Sequence, residues 1–218
     1  MKNQLLLILC GLMIGSLSLN AQISEQSKTM SQGVQNALIL ELPDTDDKFI
    51  DKLWKKYLKS FKGGKSKKNK KQNEVFTDNI KISSLGNGEP IDLYSRTTEL
   101  GDDVELTLWV DLGGAYLSSS DHPAEYLEGE KLLMRFALEV TKEKIKIEIG
   151  KEEDKLKGLE KTQKKLVRAN DNYHRDIEQA KEKIKKAEKN IEENEADQEN
   201  TKKLIEDQKE VVRKVLKN

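Results

Sequence analysis

The chain has 218 residues, of which 36% are charged, 35% hydrophobic and 5% aromatic, and its 39 basic and 39 acidic side chains cancel. Ordinary globular chains are nearly half apolar and about a quarter charged, so this composition disfavours one large enzyme-like core. Zero net charge excludes a globally basic nucleic-acid-binding protein.

Residues 1–21 have the pattern of a cleaved secretory signal peptide. Lys2 supplies the basic start, residues 5–19 are mainly apolar, and Ala21 precedes the predicted cut. The apolar run is too short for a convincing membrane span, and Cys10 lies too near the start for a lipoprotein signal. We therefore expect an exported protein of the periplasm or extracellular space that is not an integral membrane protein. Its mature chain would contain no cysteine, and so no disulfide or thiolate site.

A break in composition divides the mature chain. Residues 22–140 contain ten of the eleven aromatic residues and all three prolines, whereas the 78 residues of 141–218 include 22 basic and 19 acidic side chains. Only the first part can build a core of its own. We predict a flexible segment at 22–33, a small α+β domain at 34–140 and a charged coiled-coil tail at 141–218.

The domain begins with a predicted strand at 34–42, where leucines alternate with other residues. A helix capped by Asp44 or Thr45 follows, and Gly63 and Gly64 are expected to stop it. After a lysine-rich loop come three further predicted elements.

After the lysine-rich loop, three strands are predicted at about 74–84, 91–98 and 104–112. A second helix then starts near Pro123. The order β-α-β-β-β-α predicts two layers, in which helices cover one face of a four-stranded antiparallel sheet.

The tail shows an unbroken seam, by which we mean the positions spaced alternately by three and four residues from Leu156 to Val215. Twelve of its eighteen positions are apolar, which indicates a coiled coil. Isoleucine or valine at five of the nine first positions favours a parallel pair, and a buried Asn170 would fix its register. The principal seam residues are Leu156, Leu159, Leu166, Asn170, Tyr173, Ile177, Ile184, Ile191, Ile205 and Val212.

Two alternatives concern the shape of the tail. A helical hairpin could turn near residues 170–172 or 194–201, but the unbroken phase favours one continuous helix of roughly 100 Å, at about 1.5 Å per residue. Residues 143–149 alternate like a strand, yet their lysines and glutamates favour a helix.

Motifs that carry chemistry are weak throughout. The sequence Gly64-Lys65-Ser66 resembles the end of a phosphate-binding loop, but it lacks the first glycine and follows a helix. Asp44, Asp46 and Asp47 suit a helix start better than a calcium loop. His122 and His174 have no visible partners. We therefore assign no catalytic residue, metal site or cofactor.

One charged segment stands out. Residues 52–71 contain ten lysines and no acidic residue, and residues 62–71 are expected to form a flexible loop. Such a loop is typically just solvated, but it could also contact an anionic envelope component. The residues named for that contact are Lys65, Lys67, Lys68, Lys70 and Lys71. Nucleic acid is disfavoured because no arginine or aromatic residue interrupts the loop.

The Leu19-Asn20-Ala21-Gln22 ending and this architecture resemble uncharacterised exported proteins of Bacteroidota-type bacteria, a resemblance that brings no function with it. The sequence favours a non-enzymatic envelope interaction or scaffold protein that self-associates through its coiled coil. Two other classes remain open. One is a periplasmic holdase with helical arms, similar to the Skp family although no strand follows the tail. The other is an enzyme with an unrecognised site in the α+β domain.

Overall fold

The computed structural model describes residues 22–216. The predicted signal peptide, with Cys10 and the cleavage site after Ala21, lies outside the described residues. The described chain divides into two compact units, one ending at Ile149 and the other beginning at Gly150.

Six strands of the described chain form one antiparallel sheet in the order β1-β2-β6-β5-β4-β3. The predicted α+β class, with an antiparallel sheet and a long C-terminal helix, is confirmed. The strands are β1 (Ile23–Met30), β2 (Gly33–Leu42), β3 (Lys62–Asn69), β4 (Glu74–Lys81), β5 (Ile91–Leu100) and β6 (Asp103–Asp111); the helices are α1 (Asp47–Leu58) and α2 (Pro123–Val215).

Two of these strands were not expected. Residues 22–33 were predicted to be flexible, but β1 pairs along its whole length with β2. The lysine-rich segment 62–71 was predicted to be a loop, but its first eight residues form β3 and pair with β4. Backbone hydrogen bonds to a neighbouring strand order both segments, although neither has the apolar alternation of a typical strand. The sheet therefore has six strands rather than four.

The first helix differs from expectation at both ends. Its N-cap is Asp46 rather than Asp44 or Thr45, and the Asp46 carboxylate accepts a hydrogen bond of 2.9 Å from the backbone N–H of Phe49. The helix ends at Leu58, before the glycines, because β3 already begins at Lys62. Gly63 has a φ of +83°, and a Cβ there would lie 2.3 Å from the carbonyl oxygen of Asn79. The glycine is therefore required by the strand and not by a helix end.

The main core lies between the sheet and the two helices. Leu38, Leu106 and Leu108 face it from the centre of the sheet and are essentially fully buried. From the helices, the rings of Trp54 and Phe136 meet edge to face, with centroids 4.8 Å apart. The indole N–H of Trp54 donates a 3.0 Å hydrogen bond to the Ser95 hydroxyl, which satisfies this polar atom inside the core.

The opposite face of the sheet carries a second, smaller buried cluster. It consists of Met30, Ala37, Ile39 and Trp109, with Tyr94 and Tyr116 packed against it. Trp109 is fully buried. We call this side of the sheet the open face because α1 and the first turns of α2 contribute nothing to its cluster.

The second helix is continuous from Pro123 to Val215. Residues 143–149 are helical, as predicted, and neither proposed hairpin turn is present. Its first turns bury Leu132, Leu133, Phe136, Ala137 and Val140. No helix among residues 22–216 is both long and apolar enough to span a bilayer.

Because Phe136 is fully buried against Trp54, replacing it leaves a cavity that the rigid sheet cannot close. We expect Phe136→Ala to lower the free energy of unfolding by about 3–5 kcal/mol. Met134, on the same helix, is 61% exposed, so Met134→Ala is the matched control, with a change within about 0.5 kcal/mol. Urea unfolding followed by tryptophan fluorescence measures both, and equal losses would contradict the proposed core.

Candidate functional site

In the second unit, the helix leaves the seam fully available. Every large apolar seam residue there is about half exposed or more, from 48% at Ile205 and Val212 to 69% at Leu159. Leucine, isoleucine and valine normally avoid such exposure when they recur in one phase along a helix. The seam is therefore an apolar stripe that nothing in the described chain covers.

The flanks of the seam are charged and partly self-paired. Lysine and glutamate side chains three or four residues apart form exposed ion pairs, for example Lys181 with Glu178 at 2.7 Å and Lys209 with Glu206 at 2.6 Å. Such pairs each stabilise an isolated helix by only a few tenths of a kcal/mol. They keep the helix hydrated and do not substitute for burial of the apolar stripe.

The predicted anionic contact residues lie on a sheet edge, not on a flexible loop. In β3, Lys65 pairs with Asp78 and Lys67 with Phe76, which places both lysines on the open face. Lys68 points to the other side, where its ammonium group lies 3.1 Å from a carboxylate oxygen of Asp51 on α1. Lys70 and Lys71 follow in the turn before β4.

The helix α1 adds further lysines to the same region. A shallow groove on its surface is lined by Lys48, Lys52, Lys55, Lys56 and Lys59, together with Asp51. Because Lys68 reaches Asp51, α1 and β3 are neighbours. Lys65 and Lys67 lie on the opposite face of the sheet from α1, so the lysines surround the β3 edge of the sheet rather than cover one face. We call these α1 lysines, with Lys65, Lys67, Lys68, Lys70 and Lys71, the lysine surface.

The other candidate residues named from the sequence lie in a strand, at helix ends or on the exposed helix surface. Gly64, Lys65 and Ser66 lie within β3, so their amides do not form a phosphate loop. Asp46 caps α1. His174 is exposed, and His122 lies just before α2 with a buried Nδ1 that has no hydrogen-bond partner. Among residues 22–216, no three His, Cys, Asp or Glu side chains are grouped to hold a metal ion.

A polar network on the open face was not predicted from the sequence. Glu74 of β4 is 1% exposed and accepts hydrogen bonds from both the backbone N–H and the hydroxyl of Ser31. Its carboxylate also lies 3.5 Å from the guanidinium of Arg96. Arg96 in turn donates to the carbonyl of Thr29 at 3.2 Å and lies 5.2 Å from the ring centroid of Trp109.

These contacts require the sheet to curl strongly. Three strands separate β1 from β4 in the sheet, which in a flat sheet would place them about 19 Å apart. Yet Ser31, at the end of the β1–β2 hairpin, is bonded directly to Glu74 at the start of β4. The hairpin therefore folds across the open face and covers Trp109.

Next to this network lie three partly exposed aromatic residues. Phe76 and Tyr94 have ring centroids 4.7 Å apart, and Tyr94 and Tyr116 have centroids 6.5 Å apart. Burial, followed by the nearby carboxylates of Asp92 and Asp111, raises the pKa of Tyr94. Burial and then Asp111 raise the pKa of Tyr116 to about 12. Both phenol groups therefore stay uncharged at neutral pH, beside several carboxylates. In the sequence, this face is marked by polar and aromatic residues that alternate with apolar ones along β5 and β6, for example Asp92, Tyr94 and Asp111.

Comparison with protein-family models, with curated proteins and with solved structures gives no match for this chain.

Removing the charge of Glu74 leaves Arg96 without its carboxylate beside a buried indole. Arg96 keeps about a quarter of its side chain exposed, which moderates the loss. We therefore expect Glu74→Gln to cost about 1–3 kcal/mol of unfolding free energy. The control is Glu139→Gln, which removes an exposed pair with Lys142 and should cost less than about 0.5 kcal/mol. If chemical denaturation gives the same small change for both, the Glu74 network does not stabilise the fold.

Proposed function

We propose that the protein is an exported scaffold of the cell envelope that self-associates through its helical tail and displays its α+β domain. The observation that supports this proposal best is the exposed seam on a continuous helix. A helix this polar is only marginally stable alone in water, because most helical stability in proteins comes from packing an apolar face.

The gain from covering the seam can be estimated. Burying one leucine, isoleucine or valine side chain contributes about 1.5–3 kcal/mol. The seam contains Leu156, Leu159, Leu166, Ile177, Ile184, Ile191, Ile205, Val212 and Val215, all about half exposed or more. Because these side chains are already partly covered, each contributes about half of that gain or somewhat more, and summed over both helices this offsets an entropic cost of association of about 4–15 kcal/mol.

A second copy of the same tail fits this seam well. The alternating spacing of three and four residues is that of knobs packing into holes of an identical helix. Isoleucine and valine at first positions favour a parallel pair, in which the two Asn170 side chains meet and disfavour other registers. A parallel pair would present two copies of the domain together.

The decisive test is light scattering of the mature chain, residues 22–218. We expect a dimer that Ile184→Lys with Ile191→Lys converts to a monomer of reduced helix content, because four ammonium groups would be buried in the pair. Asn172→Lys with Gln179→Lys adds the same charge off the seam and should leave the dimer intact. If light scattering shows that the wild-type chain is a monomer at 100 μM, the proposal is wrong.

The direction of pairing can be measured separately. The expected mature chain has no cysteine, so Val212→Cys introduces a unique thiol on the seam. A parallel pair brings the two thiols together and allows a disulfide under mild oxidation, whereas an antiparallel pair keeps them far apart.

We further propose that the lysine surface holds the displayed domain against an anionic envelope component. The number of lysines around the β3 edge favours this contact over a merely solvated loop, because clustered lysines attract an anionic bilayer by about 1 kcal/mol each. Lysines on an edge strand also protect it from unwanted pairing, and binding to anionic vesicles distinguishes the two roles.

We expect the mature chain to sediment with vesicles that contain 30% anionic lipid, and not with neutral vesicles. Replacing Lys65, Lys67, Lys70 and Lys71 with glutamine should weaken this binding at least tenfold; Lys68 is kept because it pairs with Asp51. The control replaces Lys164, Lys165, Lys185 and Lys186, which lie off the seam. Equal binding by both variants would show that the lysine surface makes no specific contact.

A further inference from the structure

We propose that the open face binds a lysine or arginine side chain of an extended basic peptide, on a surface formed by Tyr94, Tyr116, Asp92 and Asp111. We call these four residues the acidic aromatic surface. The proposal does not rest on the function assigned to the seam. Lys65 and Lys67 of the lysine surface lie on the same face, where Phe76 separates Lys67 from Tyr94.

The sheet register brings these residues together. Asp92 on β5 lies directly opposite Asp111 on β6, and Tyr94 lies opposite Trp109. After β6 the chain turns back, and the backbone N–H of Leu117 donates a 2.9 Å hydrogen bond to the carbonyl oxygen of Val110. This return bridges Tyr116 to Asp111. Tyr116 therefore occupies the position beside Asp111 that a further strand residue would take.

The two carboxylates form an arrangement that the fold alone does not require. Like charges directly opposite each other destabilise a sheet. One oxygen of each carboxylate accepts a backbone hydrogen bond. Asp92 accepts a hydrogen bond of 2.8 Å from the N–H of Asn79, and Asp111 accepts one of 2.9 Å from the N–H of Gly113. An asparagine could accept the same bonds without the repulsion. No lysine or arginine among residues 22–216 forms an ion pair with either carboxylate.

The charge around the rings indicates the sign of the ligand. Asp92, Asp111 and Glu74 all raise the pKa of both tyrosines, after the larger effect of burial. A negative potential beside aromatic rings favours a cation, which the ring faces also attract. The same face already contains one example, since the guanidinium of Arg96 lies 5.2 Å from the Trp109 ring.

The geometry favours an organic cation over a metal ion. A lysine or arginine has an apolar stem that can lie along Tyr94 and Tyr116 while its charged head reaches the carboxylates. Phe76 stacks on Tyr94 with ring planes 32° apart, which fixes the orientation of that ring. No three acidic or imidazole groups of the described chain converge as a metal would need. A neutral sugar would stack on the rings and donate hydroxyl hydrogen bonds to the carboxylates, but it would not neutralise the two like charges that lie opposite each other.

The test measures binding of a capped Gly-Lys-Gly-Lys-Gly peptide to the mature chain at low salt. The control peptide has norleucine in place of lysine and thus keeps the stem without the charge. Fluorotyrosine labelling reports on the site, because the chain has only five tyrosines. We expect the lysine peptide to shift the fluorine resonances of Tyr94 and Tyr116, with an affinity that falls as salt rises.

The variant Asp92→Asn with Asp111→Asn keeps the backbone hydrogen bonds and removes the charges. We expect it to bind the lysine peptide at least tenfold more weakly and also to unfold at a higher denaturant concentration, since the repulsion is relieved. The control, Glu99→Gln with Asp102→Asn, loses the same charge about 20 Å away along the strands and should bind normally.

Several results would overturn the proposal. The norleucine peptide could bind as well as the lysine peptide, or the Asp92→Asn and Asp111→Asn variant could keep its full affinity. Shifts confined to Tyr57, Tyr126 or Tyr173 would place the peptide elsewhere. Binding of a neutral oligosaccharide at Tyr94 and Tyr116 without binding of the lysine peptide would assign the surface to sugars.

Discussion

The hydrogen bonds between Ser31 and Glu74 close the curl of the sheet, and the organisation of the open face depends on them. They join the β1–β2 hairpin to β4 across three intervening strands. This closure buries Trp109 and holds Arg96 between a carboxylate and an indole ring. A buried charge costs free energy unless it is paired, so each member of this network requires the others. The partly exposed aromatic residues lie at the border of the network, where the hairpin no longer covers the sheet.

The alternation of side chains along β5 and β6 then separates two kinds of chemistry. Leu93, Leu106 and Leu108 point into the core beneath the helices, whereas Asp92, Tyr94 and Asp111 point to the open face. The first set can be replaced only at the cost of cavities. The second set is held in place by the same strands but is free to meet a ligand. A sheet that is held rigid by the core on one face can support a recognition surface on its opposite face.

The sequence was sufficient where apolar residues alternate or recur at helical spacing. It predicted β2, β4, β5, β6, both helices and the continuity of the tail, because burial leaves a periodic trace in each. It failed for β1 and β3, whose sequences ISEQSKTM and KGGKSKKN contain few or no large apolar residues. Edge strands are ordered by backbone hydrogen bonds from one neighbour, and these bonds are independent of side-chain type. The acidic aromatic surface was missed for another reason: Tyr116 reaches Asp111 through a chain reversal that no local pattern indicates.

The two units also differ in what stabilises them. The first unit buries its own apolar residues, so its stability is a property of a single chain. The second unit exposes its apolar seam along the whole helix, and the free energy of covering that seam is realised only on association. Stability that depends on a partner rises with concentration. In the proposed pair, the helix of the second unit is stable at high protein concentration and frays on dilution, so that local concentration controls assembly.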